Sequence, residues 1–261
     1  MLGTVVAIVE GLIVQPTLYW KNARAQGLKF TLNPRILYRG TGAALANEIQ
    51  SMQLQFAVTG FLQKRGAQQQ HGSSSGAAAA VSSELGGAIA GGMVTALISA
   101  PLELVLIQQQ LHGGSFWSTP SRIIKEYGLG SKGMLRALSV TVLRDAIYVG
   151  SMLGITPLIQ KHFEEKHQQS KVMASLNASL IGGLLAAVPS HPLDLVKTCM
   201  QGDLQQITYT SASKTVGLMY RSQGGFSRFF HGCLWRSINI VATVYIANEC
   251  KNRLTDTFSK L

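Results

Sequence analysis

Four charged side chains in this sequence stand where charge is costly. Glu48, the adjacent pair Arg144-Asp145, and Arg236 each lie inside stretches that are otherwise mostly apolar or small. Ionisable groups in such settings mark functional or paired sites. The chemistry they offer is recognition. A guanidinium binds a carboxylate through two parallel N–H bonds, and a neighbouring aspartate receives an ammonium. Arg144 and Asp145 could equally neutralise each other or bond across helices, with no ligand between them. Asn47 adds an amide beside Glu48, and Asn239 adds one a turn after Arg236. A second set of charges follows prolines: Glu103 two residues after Pro101, Asp194 two after Pro192, and Lys21 and Lys197 five after Pro16 and Pro192. Enzyme signatures are missing: no C-x-x-C, H-E-x-x-H or G-x-x-x-x-G-K-S/T occurs, and the one G-x-S-x-G match, Gly72-Ser73-Ser74-Ser75-Gly76, lies in a low-complexity Gln/Ser/Ala stretch rather than between a strand and a helix. The three cysteines, Cys199, Cys233 and Cys250, form no disulfide framework. The expectation is no enzyme, no metal and no redox or organic cofactor.

The elements that carry these residues are apolar. The chain has 261 residues, 13% of them charged, 27 glycines, 46% hydrophobic residues and a mean hydropathy of +0.19. Soluble domains carry about a quarter charged residues, and abundant Gly suits close-packed membrane helices. Six apolar segments span roughly 2–24, 36–62, 85–111, 134–160, 174–200 and 233–254. Each keeps some polar positions, as a bundle around an aqueous cavity requires. A soluble amphipathic bundle is the competing reading, and mid-helix glycines disfavour it. Lys+Arg 23 against Asp+Glu 12 gives a net charge of +11. The basic residues are scattered rather than gathered on one face, which points to anionic lipid or solute and away from nucleic acid. Met1–Val9 lacks the basic start and small-residue cleavage site of a removable leader.

The motifs repeat in register. Gln15-Pro16-Thr17-Leu18-Tyr19-Trp20-Lys21, Ala100-Pro101-Leu102-Glu103-Leu104-Val105-Leu106 and His191-Pro192-Leu193-Asp194-Leu195-Val196-Lys197 lie in corresponding places, their prolines 85 and 91 residues apart. Downstream stand Tyr38-Arg39-Gly40, Leu135-Arg136-Ala137 and Phe230-His231-Gly232, their last residues 97 and 95 apart. This pattern resembles the mitochondrial carrier family, whose signature is Pro, any, acidic, any, any, basic, followed by an aromatic-basic-Gly triplet.

The resemblance implies an all-α membrane protein: six transmembrane helices in three pseudo-symmetric hairpin repeats, with short matrix-side helices, in the mitochondrial inner membrane. The repeats fall at 1–62 (eroded), 85–160 and 174–261, separated by a low-complexity linker at 63–84 and a connection at 161–173. The first Pro-to-Gly interval is 24 residues against 36 and 40, so its amphipathic helix is expected to shrink to a loop around Asn33-Pro34. Pro16, Pro101 and Pro192 would bend the odd helices together. Glu103 would then pair with Lys197 and Asp194 with Lys21 to close the matrix side, a Leu18–Leu106 contact replacing the third bridge. Charge reversal at one partner is then expected to be partly rescued by reversal at the other. Asp194 and Lys197 could instead form only an i,i+3 surface pair. Gln110 and Gln201 fall at the family's bracing positions. Counting from the triplets places the solute on Asn47, Glu48, Arg144, Asp145, Arg236 and Asn239. Arg39, Gly40, Arg136 and Gly232 are the lipid positions, with cardiolipin the bound lipid implied.

The implied function is alternating-access transport of a small charged metabolite, an amino acid or other carboxylate or zwitterion. One departure supports an alternative. The family's outer charge ring would occupy Gly60, Pro157 and Asn252 with Gln63, Gln160 and Thr255, none of them charged, although Glu249 and Arg253 could restore one pair after a register shift. A non-transporting scaffold in a large respiratory or other inner-membrane complex fits that loss.

Overall fold

The computed structural model describes the backbone of residues 2–51, 53–54, 61 and 77–258, and the side chains of 8–51, 53–54, 61, 86–152, 154–244 and 246. Every regular element among these residues is helical: α1 (Leu2–Ala25), α2 (Pro34–Leu37), α3 (41–51), α4 (Ala77–His112), α5 (Ser118–Tyr127), α6 (Leu138–Val149), α7 (Thr156–His167), α8 (Lys171–Gly202), α9 (Ala212–Arg221) and α10 (Cys233–Phe258). A π-helical turn, Gly150–Ile155, joins α6 to α7, and a 3-10 segment, Gly225–Phe230, precedes α10.

Three stretches among the described residues are long and apolar enough to cross a membrane: Gly86–His112, Leu138–His167 and Lys171–Gly202. At 1.5 Å per residue, the 36 residues of α4 measure about 54 Å, well beyond a hydrocarbon core of about 30 Å. Large apolar side chains are exposed in helical spacing: Ile8 and Leu12 on α1, Met93, Val94, Leu97 and Ile98 on α4, and Ile181, Leu184, Leu185 and Val188 on α8. In water such faces would be aggregation sites. Facing lipid, they are solvated by it.

The helices close into a ring. α4 packs on α6, α6 and α7 on α8, α8 on α10, and α10 returns to α1. Leu45 of α3 fills the space over Gly11 of α1, and Ala43 of α3 joins Leu104, Val105 and Leu106 of α4 in one apolar cluster. Pro16, Pro101 and Pro192 all lie inside continuous helices. Beyond the second and third of these prolines burial becomes all-round. Leu104 to Gln110 on α4 and Asp194 to Gln201 on α8 are buried at every consecutive position. A helix buried on all sides is surrounded by neighbours, so the odd helices converge at their C-terminal ends.

The short helices lie outside that convergence. α5 inserts Ile123 into the Leu104 cluster, and α9 inserts Met219 beside Cys199 and Met200. Their counterpart in the first repeat was expected as a loop. It keeps one helical turn, α2, because Asn33 caps it by accepting from the Arg35 N–H and Pro34 sits at its start. Trp20 anchors the preceding loop: its ring stacks between Phe30 and Trp235 at 5.0 and 4.6 Å, and its N–H donates to Thr31 O.

Two connections differ from their sequence reading. α4 begins at Ala77, within the stretch read as a linker over 63–84, because Ala77–Ala80 are the strongest of helix formers. Of 161–173, only 168–170 are non-helical, since Ser170 starts α8 by capping the Met173 N–H.

Candidate functional site

Above the convergence lies a cavity of about 340 Å³. Glu10, Gln15 and Lys21 line it from α1, Asn47 and Glu48 from α3, and Ser99 and Glu103 from α4. Arg144, Asp145 and Tyr148 face it from α6, Asp194 and Lys197 from α8, and Arg236, Asn239 and Thr243 from α10.

Its floor is a connected set of ion pairs. Lys21 Nζ lies 2.8 Å from Asp194 Oδ2, joining α1 to α8, and Lys197 Nζ lies 2.7 Å from Glu103 Oε2, joining α8 to α4. Leu18 packs against the cluster containing Leu106, at the place of a third bridge. The network also branches. Arg144 reaches from α6 to donate to both oxygens of Glu103 at 2.6 and 2.8 Å, while its Nε lies 2.9 Å from Asp145 Oδ1 out of hydrogen-bond alignment. Arg236 lies 3.6 Å from Asp194, donates to Ser190 Oγ at 2.8 Å, and stands 5.5 Å above the Tyr148 ring. Lys197 is also 3.5 Å from Asp194.

A model of the mitochondrial carrier protein matches residues 77–167 and 168–259. The chain belongs to the mitochondrial carrier family. Among curated relatives, the mitochondrial 2-oxodicarboxylate carrier of Mus musculus is 26% identical over 149 residues, 52% of this chain and 49% of its own. A mitochondrial arginine transporter of Arabidopsis thaliana is 32% identical over 121 residues, 44% of this chain and 40% of its own. The mitochondrial carnitine carrier of Saccharomyces cerevisiae is 28% identical over 184 residues, 65% of this chain and 55% of its own. The chain spans about half the length of the curated relatives it matches.

In this chain the residues counted out as solute contacts divide into two groups. Arg144, Asp145 and Arg236 are consumed by the floor network, the across-helix alternative to ligand binding. Asp145 also accepts from Ser99 Oγ at 3.2 Å. Asn239 braces α10 against α1, donating to Thr17 Oγ1 at 2.9 Å and Val14 O at 3.4 Å. Asn47 and Glu48 remain uncommitted: Asn47 Oδ1 is buried without a donor, and Glu48 has no ion-pair partner among the described residues. Of the bracing glutamines, Gln110 accepts from Asn22 Nδ2 at 2.8 Å, and Gln201 donates weakly to Ala100 O and Arg136 O.

Arg136 corrects a lipid assignment. It is buried, donating to Met200 O at 2.7 Å and to Tyr209 O, so it caps one C-terminal carbonyl of α8, holds the loop that follows, and is not free for a headgroup. Asp203 orders the following loop by accepting the N–H groups of Tyr209, Thr208 and Ile207. Burial raises its pKa, but those three donors and the Arg136 charge outweigh it and hold the carboxyl below the usual range. Arg39 is exposed. Gly40, Ala137 and Gly232 all have left-handed backbones, at φ 81°, 60° and 89°. A Cβ on Gly232 would also meet Lys21 O at 3.0 Å, which ties the third triplet to α1 of the first repeat. Of the uncharged outer-ring positions, Gly60 and Gln63 lie outside the described residues, as do the side chains of Asn252 and Thr255. Gln160 donates to Glu164.

Counting missed Glu10, Asn22, Gln108 and Tyr148. Glu10 had a readable signal, a lone acid within an apolar stretch. Gln108, which donates to Gln201 O and Gly202 O, had none.

Proposed function

We propose that the chain is a mitochondrial inner-membrane carrier that moves a small charged metabolite by alternating access. The observation that carries this reading is the cavity floored by ion pairs from three different odd helices. Such a floor is a gate: opening it requires Lys21 to leave Asp194 and Lys197 to leave Glu103. A solute drives opening only as far as it binds the opening state more tightly than the closed one. Relatives named for 2-oxodicarboxylate, arginine and carnitine support a substrate among small charged metabolites. Inner-membrane lipid, cardiolipin above all, is the second partner in this reading, with the exposed Arg39 its contact.

The test is uptake by the purified full chain in liposomes, screened against amino acids, dicarboxylates and nucleotides. Uptake of one class, reduced at least tenfold by Asp194→Asn, is expected. No uptake of any class, with essentially all copies comigrating with a large complex on native electrophoresis of mitochondrial membranes, would establish the scaffold instead.

A further inference from the structure

The cavity's charges do not cancel. Each cation lining it, Lys21, Arg144, Lys197 and Arg236, lies within 3.6 Å of a carboxylate of Glu103, Asp145 or Asp194. Glu10 and Glu48 line the same space with no cation beside them among the described residues. Glu10 is 3% exposed, and its Oε2 is buried without a hydrogen bond, with the side chain of Thr243 beside the carboxylate. Its carboxylate feels the charge of Glu48, and Asn47 Oδ1 nearby is a further acceptor without a donor. Among the described residues five carboxylates thus face four cations, and that lining is formally net negative although the chain carries +11. Leaving carboxylates buried and unpartnered is strongly unfavourable.

We propose that Glu10 and Glu48, with Asn47, form the binding point for a cationic group, ammonium or guanidinium, of the transported solute. This rests on the carrier reading and narrows its substrate. Both carboxylates and the amide oxygen only accept. An ammonium brings three donors and a guanidinium five, whereas a carboxylate or phosphate would add repulsion. One positive charge brings the lining to neutrality. Glu10 lies 11 residues before Lys21 on α1, about 16 Å along the helix, so a cation held by its carboxylate is clear of the Lys21–Asp194 pair of the gate.

Two probes separate the possibilities: agmatine, cationic without a carboxylate, and glutarate, a dicarboxylate without a cation. Thermal unfolding of the purified full chain reads binding, and liposome uptake reads transport. Agmatine is expected to raise the unfolding midpoint and glutarate is not. Glu10→Gln and Glu48→Gln should each weaken agmatine binding at least tenfold while unfolding no earlier than the parent without probe. Stabilisation by glutarate alone, by neither probe, or by agmatine equally in both variants overturns the subsite. Should a variant not fold, the probe comparison on the unaltered chain decides. Glutarate uptake without agmatine binding refutes the cation site and leaves the carrier standing. Agmatine binding with no uptake of any solute does the reverse.

Discussion

Glu103→Gln should destabilise the closed state much more than Lys197→Met, although the two side chains form one ion pair. The carboxylate of Glu103 is shared, holding Lys197 at 2.7 Å and Arg144 at 2.6 and 2.8 Å. Without its charge, Lys197, whose side chain is 2% exposed, keeps only Asp194 at 3.5 Å, and Arg144 keeps only the misaligned Asp145. Breaking a buried pair by removing one partner costs about 3–5 kcal/mol, and here two cations lose a partner. Lys197→Met strands much less. Glu103 retains both bonds from Arg144, and Asp194 retains Lys21 at 2.8 Å. A cost of about 1.5–3 kcal/mol follows, as for a hydrogen bond to a charged group. The difference, about 1.5–2 kcal/mol, corresponds to roughly 3–8 °C in melting midpoint for a chain of this size. Thermal unfolding of the two purified variants in lipid-supplemented detergent measures it. Equal midpoints, or a lower one for Lys197→Met, would show that Glu103 is not the shared node. The branching also changes the outcome of charge swapping. Glu103→Lys with Lys197→Glu sets a lysine against Arg144 and a glutamate against Asp194, so the swap should not recover the parent's stability, contrary to what a simple ring of pairs predicts.

Gly92→Val should prevent α4 and α6 from closing, because even a Cβ there would meet Asp145 O at 2.5 Å; loss of folded yield on size-exclusion chromatography is the readout. Gly232→Ala should cost about 1–2 kcal/mol from its left-handed backbone, whereas Ala137→Gly should be neutral to about 1 kcal/mol stabilising, gaining that amount and losing about 0.8 kcal/mol of buried methyl; their melting midpoints should separate accordingly. Asp203, with its pKa held down, contributes stability above the ordinary carboxylate range near pH 4, lost as pH falls through its lower folded value. The stability gap between parent and Asp203→Ala should therefore close as pH is lowered from about 5 toward 3, and a gap independent of pH would refute the Asp203 assignment.

Much of the fold was legible because it is written locally. Apolar runs mark the spans, and the proline register marks where odd helices meet, so Lys21, Glu103, Asp194 and Lys197 could be placed before any coordinates. The solute positions were less legible for a physical reason. Spacing says which residues share a helix face, but not which neighbour a long side chain reaches first. Arg144 has the reach to cross to Glu103, 41 residues away in sequence, and that choice depends on the approach of α6 to α4. Arg136 was misread in the same way, since its partners Met200 O and Tyr209 O belong to a repeat that no local pattern connects to it.

The threefold pattern survives in the backbone more faithfully than in the side chains, and sterics explain why. Positions 40, 137 and 232 all adopt left-handed backbone at the start of an even helix, a conformation that admits Gly at no cost and Ala at modest cost. Any residue with a Cβ pays that cost there, whatever occupies the cavity. Side-chain charge is under no such constraint. The first repeat has Leu18 where the others have acids, yet it supplies Asn22 to brace Gln110 and Glu10 to the cavity. Asymmetry of that kind suits an asymmetric solute. Cations gather around the α4, α6 and α8 carboxylates, and unpaired acids remain on the α1 and α3 side. The electrostatic polarity of the cavity is therefore set by what the first repeat has lost as much as by what the other two retain.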